Sequence, residues 1–223
     1  MSSARDDILA RIREALRLPA AKPHLSPGKG TGKPGKAWLP EAGETPDERL
    51  KVLAENLAKL RAQLVRVPDM ASAAAELAKL SHAKGWKRLA YHTAPETGSA
   101  IGSVGCETWA MDQAFNKQRL ESCDAGLTTC EAIVAQTGSI LVSSATNGGR
   151  ALSILPHAHV VVARADQVVG DLTDAFALLR SRHGDRLPSM LSFITGPSRT
   201  GDIERILVLG AHGPKELILI LVG

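Results

Sequence analysis

Aromatic residues are scarce in this 223-residue chain, at 3% of the total. Stacking of successive bases on aromatic rings is therefore disfavoured as a function, and Leu, Val, Ile and Ala must fill a core drawn from 44% hydrophobic residues. Cysteine is scarcer still. Cys106, Cys123 and Cys130 are odd in number and form no C-x-x-C pair, which argues against a disulfide framework, a zinc cage or an iron–sulfur cluster held by this chain. No apolar run approaches the length of a membrane span. The N-terminus has no signal-peptide core, and the early Asp6-Asp7 argues against a transit peptide. The expectation is a cytoplasmic protein with no membrane span, no metal and no cofactor of its own.

The net charge of +4 is unevenly distributed. Residues 1–40 hold eight Lys/Arg against Asp6, Asp7 and Glu14, whereas the remainder holds nineteen basic and twenty acidic residues. The basic excess thus belongs to a leader, and the body gives no reason to expect nucleic acid. Within the leader, "SARDDILARIREALRL" sets Ile8, Leu9, Ile12, Ala15 and Leu16 at helical spacing behind Ser3 as a cap. A Pro-, Gly- and Lys-rich stretch follows and reads as a flexible connector. Its lysines are either a solvated linker or an anion-binding arm. The boundary falls at residue 44, with the main domain over 45–223.

Two helices open that domain. One starts at Thr45 as N-cap and Pro46 as first helical residue, with Leu50, Leu53, Leu57, Leu60 and Leu64 on one stripe. The next runs from Asp69 as cap to Gly85 as terminator. "RLAYH" reads as a short strand. Further on, "SILVSS", "HVVVARA", "MLSFITG" and "ELILILVG" are short continuous apolar runs, as expected of strands buried on both faces. "GDLTDAFALLRSRHG" is a helix ending at Gly184, and "TGDIERILVLG" is another helix candidate. Strands alternating with helices define the α/β class.

Two polar turns stand out. In "FITGPSRTGDIE" a strand runs into Gly196-Pro197-Ser198-Arg199-Thr200 at what reads as the mouth of a helix. Backbone N–H groups there lack intrahelical partners and the helix dipole favours anions. Gly196 permits close approach, Ser198 and Thr200 supply hydroxyls, and Arg199 supplies charge. The Walker spacing is absent. The same residues equally suit a plain turn whose hydroxyls cap the helix. They also nearly match G-x-S-x-G, with Asp202 and His212 following, but Thr200 replaces the last glycine and Asp202 lies too near Ser198 to orient a histidine. His212-Gly213 lies in a glycine-flanked turn, as either a turn or a site residue. His157 and His159 form either a metal pair without a third ligand or ordinary strand-end histidines.

The second turn is Thr137-Gly138-Ser139. Just before it, Glu131 sits among apolar residues, which would raise its proton affinity and suit it to act as a base or nucleophile. An exposed helical residue is the alternative.

Together, "GLTTCEAIVAQTGSILV", "GRALSILPHAHVVV" and "FITGPSRTGDIERILVLGAHGPKELILILV" resemble the LUD-domain family, its lactate-utilization branch in particular. The detailed likeness covers residues 124–223, with a looser helical likeness reaching back to about residue 45. The resemblance implies a NagB/RpiA/CoA-transferase-like fold, a three-layer α/β/α arrangement around a mainly parallel sheet. It also implies a part in oxidising L-lactate to pyruvate beside iron–sulfur partner proteins. Where the family usually has an acidic residue, a Thr and an Ala, this chain has Gln136, Ser139 and Gly201. The first departure removes a charge from the candidate site.

The expected site is a cleft for a small carboxylate or phosphate lined by Thr137, Gly138, Ser139, Gly196, Pro197, Ser198, Arg199, Thr200, His212 and Gly213, with Glu131 as the candidate catalytic group. A stand-alone enzyme acting on an acyl-CoA or sugar phosphate and a non-catalytic scaffold are the alternatives.

Overall fold

The computed structural model describes residues 4–15, 17, 39–113, 115–200, 208–210 and 212–223. The expected Ser3 cap, the connector after Arg17 and the segment around Asp202 lie outside the described residues. Two compact units are present, residues 1–39 and 40–223. The first contains helix α1 (Ala4–Ala15), whose Ile8 and Ile12 are both exposed. Among the described residues no helix is long and apolar enough to cross a membrane.

The second unit begins with α2 (Pro46–Leu60). Thr45 accepts from the Glu48 N–H while the Glu48 carboxylate accepts from the Thr45 N–H, so the two residues satisfy each other's orphan groups. Leu53 and Leu57 are fully buried, each contributing roughly 1.5–3 kcal/mol of burial. Strand β1 (Gln63–Val67) follows, then α3 (Met70–Lys84), capped by Asp69 and ended by Gly85 in the left-handed conformation. Next come β2 (Arg88–Tyr91), α4 (Pro95–Ile101), β3 (Glu107–Ala110), α5 (Lys117–Glu121) and β4 (Ala125–Thr128). The second half contains β5 (Ala132–Val134), β6 (Ser139–Ser143), β7 (Ala158–Arg164), β8 (Val168–Val169), α6 (Leu172–His183), β9 (Leu191–Ile194), β10 (Arg199–Thr200), β11 (Val208–Leu209) and β12 (Glu216–Val222).

Six strands form a wholly parallel sheet in the order β1-β12-β7-β4-β2-β3. Strands β7 and β12 lie at its heart, and their alternation explains the continuous apolar runs. Val160, Val162, Ile218 and Ile220 pack with Leu77 and Ala100 of α3 and α4 on one face. Val161, Leu217, Leu219 and Leu221 pack with Leu53 and Leu57 of α2 on the other. Both faces are covered, as a parallel sheet requires.

The second face has a further covering that the apolar runs do not disclose. A four-stranded mixed sheet, β8-β5-β6-β9, shares it with α2. Ile133, Ile140 and Val142 turn toward the main sheet, while Ala132, Val134 and Leu141 turn outward onto Ala175 and Leu179 of α6. "SILVSS" and "MLSFITG" therefore belong to this smaller sheet. All four residues of β9 are only half-buried, because β9 is an edge strand.

One close approach ties the sheet to the cleft described below. A Cβ on Gly126 would run into the carbonyl oxygen of Leu152, in the 3-10 turn Ala151–Ser153. Only glycine allows that turn to lie on β4.

All the described core clusters fall between residues 50 and 222. A chain beginning at Leu39 is therefore expected to keep one cooperative melting transition. Scanning calorimetry checks this, and loss of the transition would make the leader part of the folding unit.

Candidate functional site

A cleft of about 340 Å³ opens beside the edge of β9. Arg150, Ser153 and Ile154 form one wall, Met190, Leu191, Ser192 and Ile194 a second, and Gly196, Ser198 and the segment His212–Pro214 a third. The segments on the first and third walls lead into the starts of β7 and β12. The cleft is thus not at the carboxyl ends of the main sheet, where ligands of open α/β sheets commonly collect.

The walls are held by specific bonds. Asn147 is completely buried, and its side-chain amide donates to Ser153 Oγ at 2.8 Å, which in turn donates to the Arg150 carbonyl at 3.2 Å. The Ser198 N–H donates to the Pro214 carbonyl at 2.9 Å, and the Gly210 N–H donates to the Ser198 carbonyl at 3.0 Å. Gly213 lies so close that a Cβ there would be 3.1 Å from Ser198 Cβ. None of the lining residues is acidic, whereas Arg150 and His212 are basic types.

The structure corrects the expected helix mouth. Arg199 and Thr200 form β10, paired antiparallel with Val208 and Leu209 of β11. The Ser198 N–H is taken by Pro214, so it offers no free amide, and residues 201–207 of the expected helix lie outside the described residues. Asp202 is outside the described residues. The Arg199 guanidinium donates to the Leu60 carbonyl at 2.7 Å, where it caps the negative end of α2. Gly196 has φ of 82°, and a Cβ there would meet Leu60 and Arg199 at 3.1–3.2 Å. Pro197 is buried and does not line the cleft.

The two polar turns do adjoin. Thr137 Oγ1 donates to Ser139 Oγ at 2.7 Å, and Ser139 Oγ bonds Thr195 Oγ1 at 2.7 Å. Gly138 packs on Leu60 and Asn56, and the Asn56 amide donates to the carbonyls of Ala135 and Gln136. Yet Thr137, Gly138 and Ser139 do not line the cleft. Of the expected residues it brings together Gly196, Ser198, His212 and Gly213. Arg150 and Ser153 are not singled out by sequence, although both lie in the "GRALSILPHAHVVV" stretch that carries the family resemblance.

Glu131 belongs to a different cluster. It is buried between β4 and β5, neither helical nor exposed. Ser143 Oγ donates to its Oε1 at 2.6 Å, Arg182 Nη1 donates to its Oε2 at 3.0 Å and to its carbonyl at 2.7 Å, and His183 Nε2 lies 3.3 Å from Oε1. Burial works to raise its proton affinity. Hydrogen bonds from Ser143 and Arg182 and the charges of His183 and Arg182 outweigh it and leave the pKa below the ordinary carboxylate value. The expectation of a raised value fails because the partners lie far away in the chain. Next to it, burial pushes the Cys130 thiol up to about 12, far from a reactive thiolate.

The histidine pair is also separated. His157 is exposed ahead of β7, and His159 is buried within it, 2.9 Å from Thr128 Oγ1.

A parallel α/β sheet backed by a smaller mixed sheet, with a basic cleft at the second sheet's edge, defines the class of protein. The LUD domain model matches residues 50–222, and the chain belongs to that family. It is 34% identical over 123 residues to lactate utilization protein C of Bacillus licheniformis, an alignment covering 53% of this chain and 51% of that protein. Lactate utilization protein C of Deinococcus radiodurans is 34% identical over 122 residues, covering 54% and 57%. The chain thus spans about half the length of these curated relatives. A crystal structure of a DUF162-family protein from Deinococcus radiodurans superposes with a TM-score of 0.65 at 26% identity, covering 81% of this chain and 100% of that one.

Proposed function

We propose that this protein is a cytoplasmic component of an L-lactate utilization system, acting with iron–sulfur partner proteins and contributing a binding cleft for a small organic anion. The likeness to lactate utilization protein C supports the physiological role. The observation that carries the cleft is its lining, with Arg150, His212 and three serines and no carboxylate. A carboxylate bound there would meet a guanidinium and neutral donors without charge repulsion.

Engagement of both Glu131 side-chain oxygens favours a structural role for that residue over a catalytic one, and with it a subunit that works with partners over a self-sufficient enzyme. Titration calorimetry with L-lactate and pyruvate tests the cleft. Ser198→Ala is expected to weaken binding by about 0.5–1.5 kcal/mol, the worth of one ordinary hydrogen bond, and Arg150→Ala by about 1.5–3 kcal/mol because its partner is charged. Equal affinity in the Arg150 variant would sink the reading. For the system-level role, lactate oxidation should require the iron–sulfur partners. Full turnover by this chain alone with an artificial electron acceptor would instead mark a stand-alone enzyme.

A further inference from the structure

Edge strands are usually blunted by charge, brevity or cover, because their free N–H and C=O groups invite pairing with another chain. In the two larger sheets, three of the four edges follow that rule. Strand β1 carries Arg66, β3 carries Glu107, and β8 has only two residues. Strand β9, Leu-Ser-Phe-Ile, has four residues, none of them charged and none proline.

The register shows which of its groups are free. The Ser144 N–H donates to the Met190 carbonyl at 2.9 Å, and the pairing continues through Val142–Ser192 and Ile140–Ile194. Bonding alternates along an antiparallel ladder, so Leu191 and Phe193 turn their N–H and C=O groups away from β6, toward the open edge. These groups have no hydrogen-bond partner among the described residues.

The two faces of this edge differ, because side chains alternate along a strand. Ser192 and Ile194 share the inner face with Val142 and Ile140, and both line the cleft that holds Arg150 and His212. Leu191 and Phe193 turn their side chains outward to α6, where the Phe193 ring meets Phe176 edge-on at 5.6 Å. Phe176 is 56% exposed, and Leu172, one turn earlier on α6, is 39% exposed.

We propose that β9 accepts an extended segment of a partner protein as a further strand. Main-chain pairing with Leu191 and Phe193 holds the segment, and its alternate side chains meet the two faces. Inward positions lie over a cleft with Arg150 and no carboxylate, and suit Asp or Glu. Outward positions lie beside Phe193 and Phe176, and suit aliphatic or aromatic residues. The segment is thus acidic and apolar in alternation. A second copy of this chain does not fit, since its β9 would bring Ser192 and Ile194 inward beside another Arg150, with no carboxylate. The proposal rests on the reading of the cleft as an anion site and supplies the anion from a protein side chain.

Fluorescence anisotropy with the full chain and capped peptides long enough to span β9 tests this. Alternating Val-Glu should bind, and alternating Val-Lys should bind at least about tenfold more weakly, the worth of a charge-assisted bond. Methylating the amide nitrogens of one alternate set should abolish binding. Methylating the other set should leave it within about twofold, because the added strand pairs through one edge only. Phe176→Ser lies outside the cleft and should weaken the Val-Glu peptide about three- to tenfold, while L-lactate and pyruvate bind as they do to the parent chain. Arg150→Gln should weaken the peptide and the free acids together.

Two methylated sets that bind alike, or Val-Lys binding as tightly as Val-Glu, would overturn the strand proposal. A Val-Glu peptide that fails to bind while L-lactate or pyruvate binds through Arg150 would also overturn it and leave the anion site standing. Self-association of the chain alone that Phe176→Ser abolishes would give the edge to a second copy instead. If neither peptides nor acids bind, the anion site falls and the proposal with it.

Discussion

Unfolding free energy at pH 5 is expected to be about 2 kcal/mol lower than at pH 7, with His159 the principal cause. This residue is 1% exposed at the centre of the main sheet, and burial lowers its pKa to about 3. Its Nε2 is matched to Thr128 Oγ1, and its Nδ1 has no hydrogen-bond partner among the described residues. Among the described residues no carboxylate acts on it to steady an imidazolium. Unfolded, the side chain regains its ordinary pKa near 6.5. Between those values the unfolded chain binds a proton that the folded chain refuses. The contribution is therefore complete above pH 6.5 and is lost as pH falls toward 3, at ~1.4 kcal/mol per pH unit.

Glu131 and Asp112, whose pKa values are held below the ordinary carboxylate range, have the same sign. They enter only at lower pH, as their native-state charges are lost. Urea denaturation at pH 7, 6 and 5 measures the slope. His159→Gln keeps a polar partner for Thr128 and cannot titrate, so its curve should be nearly flat over that interval, from a lower value at pH 7. An unchanged slope in that variant would assign the effect to another group.

Local chemistry made parts of this fold legible. Thr45-Pro46, Asp69 with Gly85, and Leu50, Leu53, Leu57 and Leu60 of the leucine stripe each depend on residues within a few positions of one another and form as read; the last member of the expected stripe, Leu64, instead lies in β1, because the helix ends at Leu60. The strands β7 and β12 were legible because burial on both faces leaves a continuous apolar run. The second sheet was not. Its β5 and β8 have only three and two residues, too short for any period to show. Two-sided burial also does not say which sheet a run such as Ser139–Ser143 joins.

The same limit governs the site. Ser198 reads as a helix mouth until its N–H is found on Pro214, sixteen positions on. Arg150 and Ser153 lie in a stretch that carries the family likeness, but nothing in it marks them, or Asn147, as a wall of the cleft. Family likeness supplied the neighbourhood, and long-range hydrogen bonds decided which of its residues face the cleft.

Glu131 is the sharpest case, and its partners set the last expected result. Arg182 is 41% exposed and the Glu131 side chain only 4%, so breaking the pair from one side should not equal breaking it from the other. Arg182→Ala strands a buried carboxylate with Ser143 and His183 alone, and should cost about 3 kcal/mol, near the lower end for a broken buried pair because His183 remains. Glu131→Gln leaves Arg182 free to turn toward water and keeps an acceptor for Ser143, so it should cost about 1 kcal/mol. The double variant separates charge from packing. If the penalty in Arg182→Ala is a stranded charge, adding Glu131→Gln should restore part of the lost stability, a coupling of about 1–2 kcal/mol in a double-mutant cycle. Denaturation midpoints of the four proteins at pH 7 give this directly. Additive losses would show that Arg182 matters through packing alone. A Glu131→Gln protein of full stability that fails in the proposed lactate-utilization role would return Glu131 to the chemistry, as a carboxylate whose charge rather than shape is required.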